Sequence, residues 1–237
     1  MNVLALYDIH GNAEALEAVL ADAPSPDVIL VGGDAVPGAF AARTLDRLEG
    51  ARFIRGNGER EVAAAVGAPA PAPDDPAGVT AARTAAELGD ERARALGELP
   101  LTLELDGVLY CHATPRNDEE LLTRISPAER WEAALSGVTA ALVIAGHTHQ
   151  QDDRTVGAVR FINAGSVGMP YEGDGAARWL WVADGVPELR STSYDAAGAG
   201  RRMLEAGWPD ERSLTASLIE PVPAIEITRF FEDHAGS

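Results

Sequence analysis

Cysteine is almost absent from this 237-residue chain. The single one, Cys111, cannot close a disulfide within the chain, which fits a reducing compartment. Basic residues are also scarce: 19 stand against 37 acidic ones, for a net charge of −18. Such a field opposes approach to polyanions, so nucleic-acid polymers and acidic membranes are poor partners. No apolar run is long enough to span a bilayer. The segment Met1 to Asp8 has no basic region and reaches a carboxylate before a signal-type apolar run could form. These absences lead us to expect a soluble, cytoplasmic protein without a secretion signal. Histidine is rare as well, with five in all, which makes their placement informative.

What is present is a composition 46% hydrophobic, enough for one sizeable core, and a single domain over residues 1–237 is expected. Val3 to Tyr7 reads as a short buried strand, followed by a helix from Ala13 to Ala21 with Leu16, Val19 and Leu20 on one face. The unit repeats with a strand at Val28–Val31, a loop Gly32-Gly33-Asp34 and a helix from about Phe40 to Leu48, before a third strand at Arg52–Ile54. Strands alternating with helices imply an α/β fold with crossover connections.

From about residue 59 to 99 the chain is Ala-rich and helical, interrupted by a Pro-rich loop between Ala68 and Pro76. This reads as a helical insertion; a lid role is the alternative to a plain exposed connection. Beyond it, Leu101–Leu105 and Val108–Cys111 flank Asp106-Gly107, a hairpin turn dipeptide. Two helices follow, at about Glu119–Arg124 and Pro127–Leu135, then a strand at Ala141–Ala145. Further strands are expected at Val159–Ile162 and Trp179–Val182, and helices near Gly200–Glu205 and Glu211–Leu218.

The polar clusters open the loops at the ends of the apolar strands: Asp8-Ile9-His10, Gly33-Asp34, Gly56-Asn57, Cys111-His112 and Gly146-His147-Thr148-His149. Open α/β sheets bind ligands at such strand ends. Singly, each could be a turn former, a helix cap or a structural histidine. Together they hold four of the five histidines, leaving only His234, in a polar tail, as a solvated one. Residues i and i+2 leaving a strand in extended form project to one side, so Asp8 and His10 can share an ion, while His147 and His149 can face one site or bind two neighbouring ions. Carboxylate, imidazole and amide oxygen suit Mn²⁺, Fe, Ni²⁺, Zn²⁺ or Mg²⁺ better than a closed structural zinc site.

The order D-x-H, G-G-D, G-N, H, G-H-T-H resembles that of the calcineurin-like metallophosphoesterase superfamily, and the Asn163–Gly168 loop and the Tyr194–Pro209 tail are similar to its small bacterial and archaeal phosphodiesterase branch. The resemblance implies a four-layer αββα sandwich of two mixed β-sheets with flanking helices. It also implies two divalent metal ions, Mn²⁺ foremost. Asp8, His10 and His149 would hold one ion, Asn57, His112 and His147 the other, and Asp34 would bridge them. Asp34, Asn57 and His112 are the residues expected to carry catalysis. The implied reaction is hydrolysis of a small phosphate-ester substrate by a hydroxide shared between the ions, in a protein able to form a homo-oligomer.

One departure matters. Relatives read G-N-H-D or G-N-H-E where this chain has Gly56-Asn57-Gly58-Glu59. Losing that histidine penalises esters with strongly basic leaving groups. The expectation is therefore a phosphodiesterase, or an enzyme of activated esters, rather than a phosphomonoesterase of nucleotides, sugar phosphates or phosphoproteins. Restoring histidine at Gly58 should then raise monoesterase activity. A metal-binding scaffold of the same fold, as the retromer subunit resembles, is the alternative of another class, and a zinc amide hydrolase a more distant one.

Lesser candidates are Asn12, as a helix cap or substrate contact, and Arg55 and Arg116, as phosphate contacts or ion-pair partners. Glu59 is expected to favour a helix start, Thr148 to point into the fold, Cys111 to face the core, and Ser166 to lack the base a nucleophile needs.

Overall fold

The structure is a computed structural model and describes residues 1–208 and 214–235. In chain order it runs β1 (Asn2–Leu6), α1 (Ala13–Asp22), β2 (Val28–Val31), α2 (Ala41–Arg47), β3 (Arg52–Phe53), α3 (Asn57–Ala65), α4 (Pro76–Leu88), α5 (Asp90–Gly97), β4 (Thr102–Leu105) and β5 (Val108–Cys111). It continues with α6 (Ala128–Ala134), β6 (Leu142–Ala145), β7 (Asp152–Val156), β8 (Val159–Asn163), β9 (Ala177–Ala183), β10 (Val186–Thr192), α7 (Ala196–Glu205), α8 (Leu214–Ile219) and α9 (Ala224–His234).

The strands form two mixed five-stranded sheets, ordered β10-β9-β1-β2-β3 and β4-β5-β6-β8-β7. Side-chain alternation assigns the layers. Val3, Ala5 and Tyr7 of the first sheet meet Tyr110, Ile144 and Ile162 of the second in a core between the sheets. Leu4 and Leu6, one residue out of phase, face Leu16 and Val19 of α1, Leu45 of α2 and Val62 of α3. On the far side, Cys111, Val143 and Phe161 pack against Trp131 and Ala134 of α6. The result is the four-layer α/β sandwich, helices outside and sheets within, that the family resemblance implied.

Several elements differ from expectation. Residues 119–124 form no helix, because their polar groups are engaged elsewhere. Asn117 Oδ1 accepts from the Glu119 N–H at 2.6 Å, Asp118 takes Arg60 at 3.2 Å, and Glu120 accepts from Thr114 Oγ1 at 2.9 Å. These competing local bonds stand where helical ones would form. Strands β7 and β10 escaped notice because each is a sheet edge with charged alternation, the usual protection of an edge. Helix α9 also went unseen, and His234 lies in its last turn, ring against Phe230 at 4.3 Å, rather than in a tail. Of the helix expected at Glu211–Leu218, the stretch Glu211–Ser213 is outside the described residues; the described part runs from Leu214. The hairpin turn is as expected, with Asp106 and Gly107 both at positive φ (49° and 76°).

Tyr7, the last inward residue of the β1 run, ties the sheets together. It is fully buried and its hydroxyl donates to the Ile144 carbonyl at 3.0 Å. Its ring fills the space beside Gly32 and Gly146, where an added Cβ would stand 1.9 Å and 2.6 Å from ring carbons. That contact explains why both strand-end loops carry glycine there. Tyr7→Phe should lose about 1 kcal/mol of stability, one buried hydrogen bond. Gly32→Ala should cost more, by overpacking. Urea unfolding of the two variants checks the order; equal costs would contradict the packing described.

Candidate metal centre

The five strand-end loops converge at one end of the two sheets. The β1–β2 ladder continues past the strands, with the Asp8 N–H donating to Gly33 O at 3.1 Å and the His10 N–H to Asp34 O at 2.9 Å. On the other side of Asp8, its carbonyl accepts from Ser166 Oγ at 2.7 Å and from the Gly168 N–H at 3.0 Å. His147 joins through its backbone N–H, which donates to Asp8 Oδ2 at 2.9 Å.

The loops do not present their ligands in extended form. Asp8, His10, Asp34, His147 and His149 all lie in the left-handed region, with φ between 49° and 69°. Non-glycine residues there cost of order 1 kcal/mol or more each and persist only where surroundings impose them. The same-side argument for i and i+2 therefore rests on a geometry these loops do not adopt, although the ligand atoms of Asp8 and His10 do lie together.

Two clusters of ligand atoms lie within 4.8 Å of one another: Asp8, His10 and His149, and Asp8, Asp34 and His112. His149 Nε2 is 3.3 Å from Asp8 Oδ1 and 3.2 Å from His10 Nε2. His112 Nε2 lies 3.6 Å from Asp34 Oδ1 and 3.8 Å from Asp8 Oδ1. Asp8 thus belongs to both clusters, whereas the sequence assigned it to one. Asn57 opens α3 and shares a cavity wall with His10 and Asp34. His147 stacks edge-on against His112 at 5.0 Å. Among the described residues His147 falls in neither three-residue cluster.

The imidazoles are aimed. His10 Nδ1 donates to Pro37 O at 3.3 Å, His112 Nδ1 to Gly32 O at 3.0 Å and His149 Nδ1 to Met169 O at 2.8 Å. A carbonyl can only accept, so in each ring the lone pair is left on Nε2, turned into the site. Tyr171 stacks on His149 at 4.9 Å and holds its plane. Of the nine buried side-chain polar atoms without a hydrogen-bond partner among the described residues, four belong to these loops: Asp8 Oδ1, Asn57 Oδ1, His112 Nε2 and His147 Nε2. Buried polar atoms are nearly always paired. Four such atoms in one group of loops fit a cation, since two carbonyl-type oxygens and the Nε2 of His112 have only lone pairs to offer and the His147 ring can present one there in its Nδ1–H tautomer.

Electrostatics agree. Burial pushes the Asp34 carboxyl well above its ordinary value, reinforced by the nearby Glu59 and Asp8. Burial would also lift Asp8, but His149, His112 and His10 outweigh it and hold it low. His10 and His147 are both pushed down to about 3 by burial and by a neighbouring histidine, His149 and His112 respectively. In the absence of an ion these two rings are therefore neutral and able to coordinate. Their contribution to stability is complete at pH 6.5 and above. It is lost as pH falls toward 3, because the unfolded chain takes up the protons first; Asp34, shifted upward, acts with the opposite sign.

Glu59 is more than the helix-start acid expected of it. Fully buried, its carboxylate accepts from the N–H groups of Asp34 and Gly56, both at 2.8 Å, and of Val36 at 3.3 Å. It is the anchor of the Asp34 loop. Gly58 donates its N–H to Asp34 Oδ1 at 2.8 Å, and a Cβ on it would stand 2.4 Å from Val36 O and 2.5 Å from Pro37 Cδ. Position 58 therefore admits no side chain unless the Asp34 loop moves.

The remaining candidates take structural parts. Asn12 caps α1, accepting from the Ala15 N–H at 3.1 Å, and donates to Gly168 O at 2.9 Å. Arg116 pairs with Glu120. Arg55 faces Asp118 at 3.3 Å and Gly97 O at 3.3 Å. Asn163 donates to Thr148 Oγ1 at 2.9 Å, which keeps Thr148 inside the fold. Cys111 is buried behind β5.

Known proteins share this fold. The family model of the calcineurin-like phosphoesterase superfamily domain matches residues 1–182. A metallophosphoesterase from Sphaerobacter thermophilus superposes with a TM-score of 0.74 at 24% identity, covering 94% of this chain and 99% of that one. A hypothetical protein from Pyrococcus horikoshii OT3 does so with 0.75 at 20% identity, again over 94% and 99%. No curated protein matches the chain.

Two outcomes follow for chelator-stripped protein. Nitrogen NMR should find His10 and His147 neutral down to about pH 4; titration of either near 6.5 would contradict the burial described. Glu59→Ala should weaken metal retention by about 10–100-fold in a competition titration, the usual effect of removing a partner that orients ligands.

Proposed function

This chain belongs to the calcineurin-like phosphoesterase superfamily, and from that premise we propose that it is a two-metal hydrolase of phosphodiesters and other activated phosphate esters. The observation that carries the proposal is the set of four buried, unpartnered acceptors aimed into one site. On this reading Asp8, His10 and His149 hold one divalent cation and Asn57, His112 and His147 the other, with Asp34 between them. Asp8, placed in both clusters, adds charge to each. Mn²⁺ suits the mixed oxygen and imidazole donors. When bound, two such cations supply Lewis acidity toward the phosphoryl oxygens and a nucleophilic water at neutral pH.

The protein's own part is orientation. The Nδ1 hydrogen bonds of His10, His112 and His149 fix their Nε2 atoms inward, and Glu59 with the Gly58 N–H fixes Asp34. The leaving oxygen receives no proton from position 58, where glycine stands, so good leaving groups are favoured. That supports diesters and activated esters over ordinary monoesters. The helices α3 to α5 serve on this reading as an insertion flanking the site, within one catalytic unit.

Mn²⁺-loaded protein should hold about two ions per chain and cleave bis(p-nitrophenyl) phosphate several-fold faster than p-nitrophenyl phosphate. Asp34→Ala should reduce turnover to background, and His234→Ala, in the last turn of α9 and outside both ligand clusters, should leave it unchanged. Absence of hydrolysis with every divalent metal would overturn the proposal, as would equal behaviour of the two variants. Gly58→His is no clean probe of leaving-group preference, because the new side chain displaces Val36 and Pro37.

A further inference from the structure

A cavity of about 400 Å³ opens directly beside His10, Asp34 and Asn57. Its opposite walls come from elements outside the ligand loops: Pro76 and Thr80 of α4, Met203 of α7, and Trp208. Met203 and Trp208 are 1% and 9% exposed and cluster with Ala39 and Leu218. Both also lie beyond the 182 residues that the family model matches.

The wall is rigid. The Trp208 N–H donates to Met203 O at 3.1 Å. The Arg83 guanidinium lies 4.7 Å over the Trp208 ring, a cation–π distance, and bonds the Ala206 and Gly207 carbonyls. A cavity held open in this way is ready for an occupant without rearrangement.

Its charge is one-sided. Among the described residues, and apart from those at the metal centre, its ionisable lining is Glu61 and Asp75, both acidic. No arginine lines it among the described residues, and the chain contains no lysine. The arginines nearest in sequence to the site are committed elsewhere, Arg60 to Asp118 and Glu119, Arg55 to Asp118 and Gly97. A phosphate over the ions would be compensated; a second anion in the cavity would be desolvated against Trp208 and Met203 beside two carboxylates. Burying an unpaired charge is costly, and like charges add to the cost.

Resting on the phosphodiesterase reading, we infer that this cavity receives one ester arm of the substrate, and that the arm is apolar and either uncharged or cationic. The substrate is then a diester with a single phosphate group, not a polyphosphate or an ester bearing a second acid. Glu61 and Asp75 favour a cationic arm, and the Trp208 face accepts a ring or an alkylammonium group.

Phosphonates with one arm test this directly, since the arm has only the cavity to enter. Binding of methyl-, phenyl-, 2-(trimethylammonio)ethyl- and 2-carboxyethylphosphonate to Mn²⁺-loaded protein is measured by calorimetry, alongside hydrolysis of bis(p-nitrophenyl) phosphate. Phenyl- and trimethylammonioethylphosphonate should bind at least tenfold tighter than the carboxyethyl compound. Trp208→Ala should weaken phenylphosphonate at least fivefold and leave methylphosphonate and metal content unchanged. Thr80→Arg should reverse the order between the cationic and anionic arms. If the reporter is hydrolysed but the four phosphonates bind alike, or none binds, the inference falls while the phosphodiesterase reading stands. Failure of the reporter with every metal removes both.

Discussion

Two carboxylates, Asp8 and Asp34, are buried within reach of each other, and the ion pairs recorded for them involve only histidine. An uncompensated pair of this kind is among the costliest things a fold can bury. Its surroundings divide the problem: the imidazoles keep Asp8 charged, while Asp34 is pushed toward its neutral form. Much of the nearby structure serves to hold this arrangement against relaxation. The ladder between Asp8 and Gly33, the clamp of Ser166 on the Asp8 carbonyl and the triple acceptance by Glu59 each fix a backbone segment that carries one of the carboxylates. Left-handed φ at five of the ligand residues is the visible strain of that holding.

How much of this could be read from the sequence depended on scarcity. Histidine is rare enough that four at strand ends point to a site, and apolar strands bounded by Gly, Asp and Asn are legible as periodic signals. The alternation of strands and helices and the strand-end clusters came from these; the two-sheet sandwich and the ligand set came from the family resemblance those clusters carry. Geometry did not. Nothing in Asp8-Ile9-His10 announces a left-handed backbone, and nothing in Gly56-Asn57-Gly58-Glu59 says that Glu59 turns back to bind the Asp34 loop. Edge strands β7 and β10 carry the charges that protect edges, which also erase the apolar pattern by which strands are found. The stretch 119–124 has helix-forming residues whose side chains are claimed by distant Arg60 and nearby Thr114, a tertiary outcome that local propensity does not encode.

The glycine at position 58 shows how one residue can hold two meanings. From the sequence it is a missing histidine, a statement about proton supply. In the fold it is a contact, the place where α3 lies against Val36 and Pro37 while its N–H holds Asp34. The two meanings are not independent: a chain that brings the Asp34 loop this close to α3 has no room for a side chain there, so on the proposed reading the supply of a proton to the leaving group and the packing of the Asp34 loop are set by the same atoms.

The hydrogen bond from the His147 N–H to Asp8 joins residues 139 positions apart, and the clamp from Ser166 spans 158. A chain growing from its N-terminus therefore carries Asp8, His10 and Asp34 long before the partners that orient them exist. Loop closure over such distances is slow compared with forming α1 or α2. The candidate metal centre is consequently a late event of synthesis, complete only when β6, β8 and the loop after β8 have emerged. If it holds a cation as proposed, capture of that cation reports that both sheets have come together, and an early fragment has no means of taking metal in the same geometry.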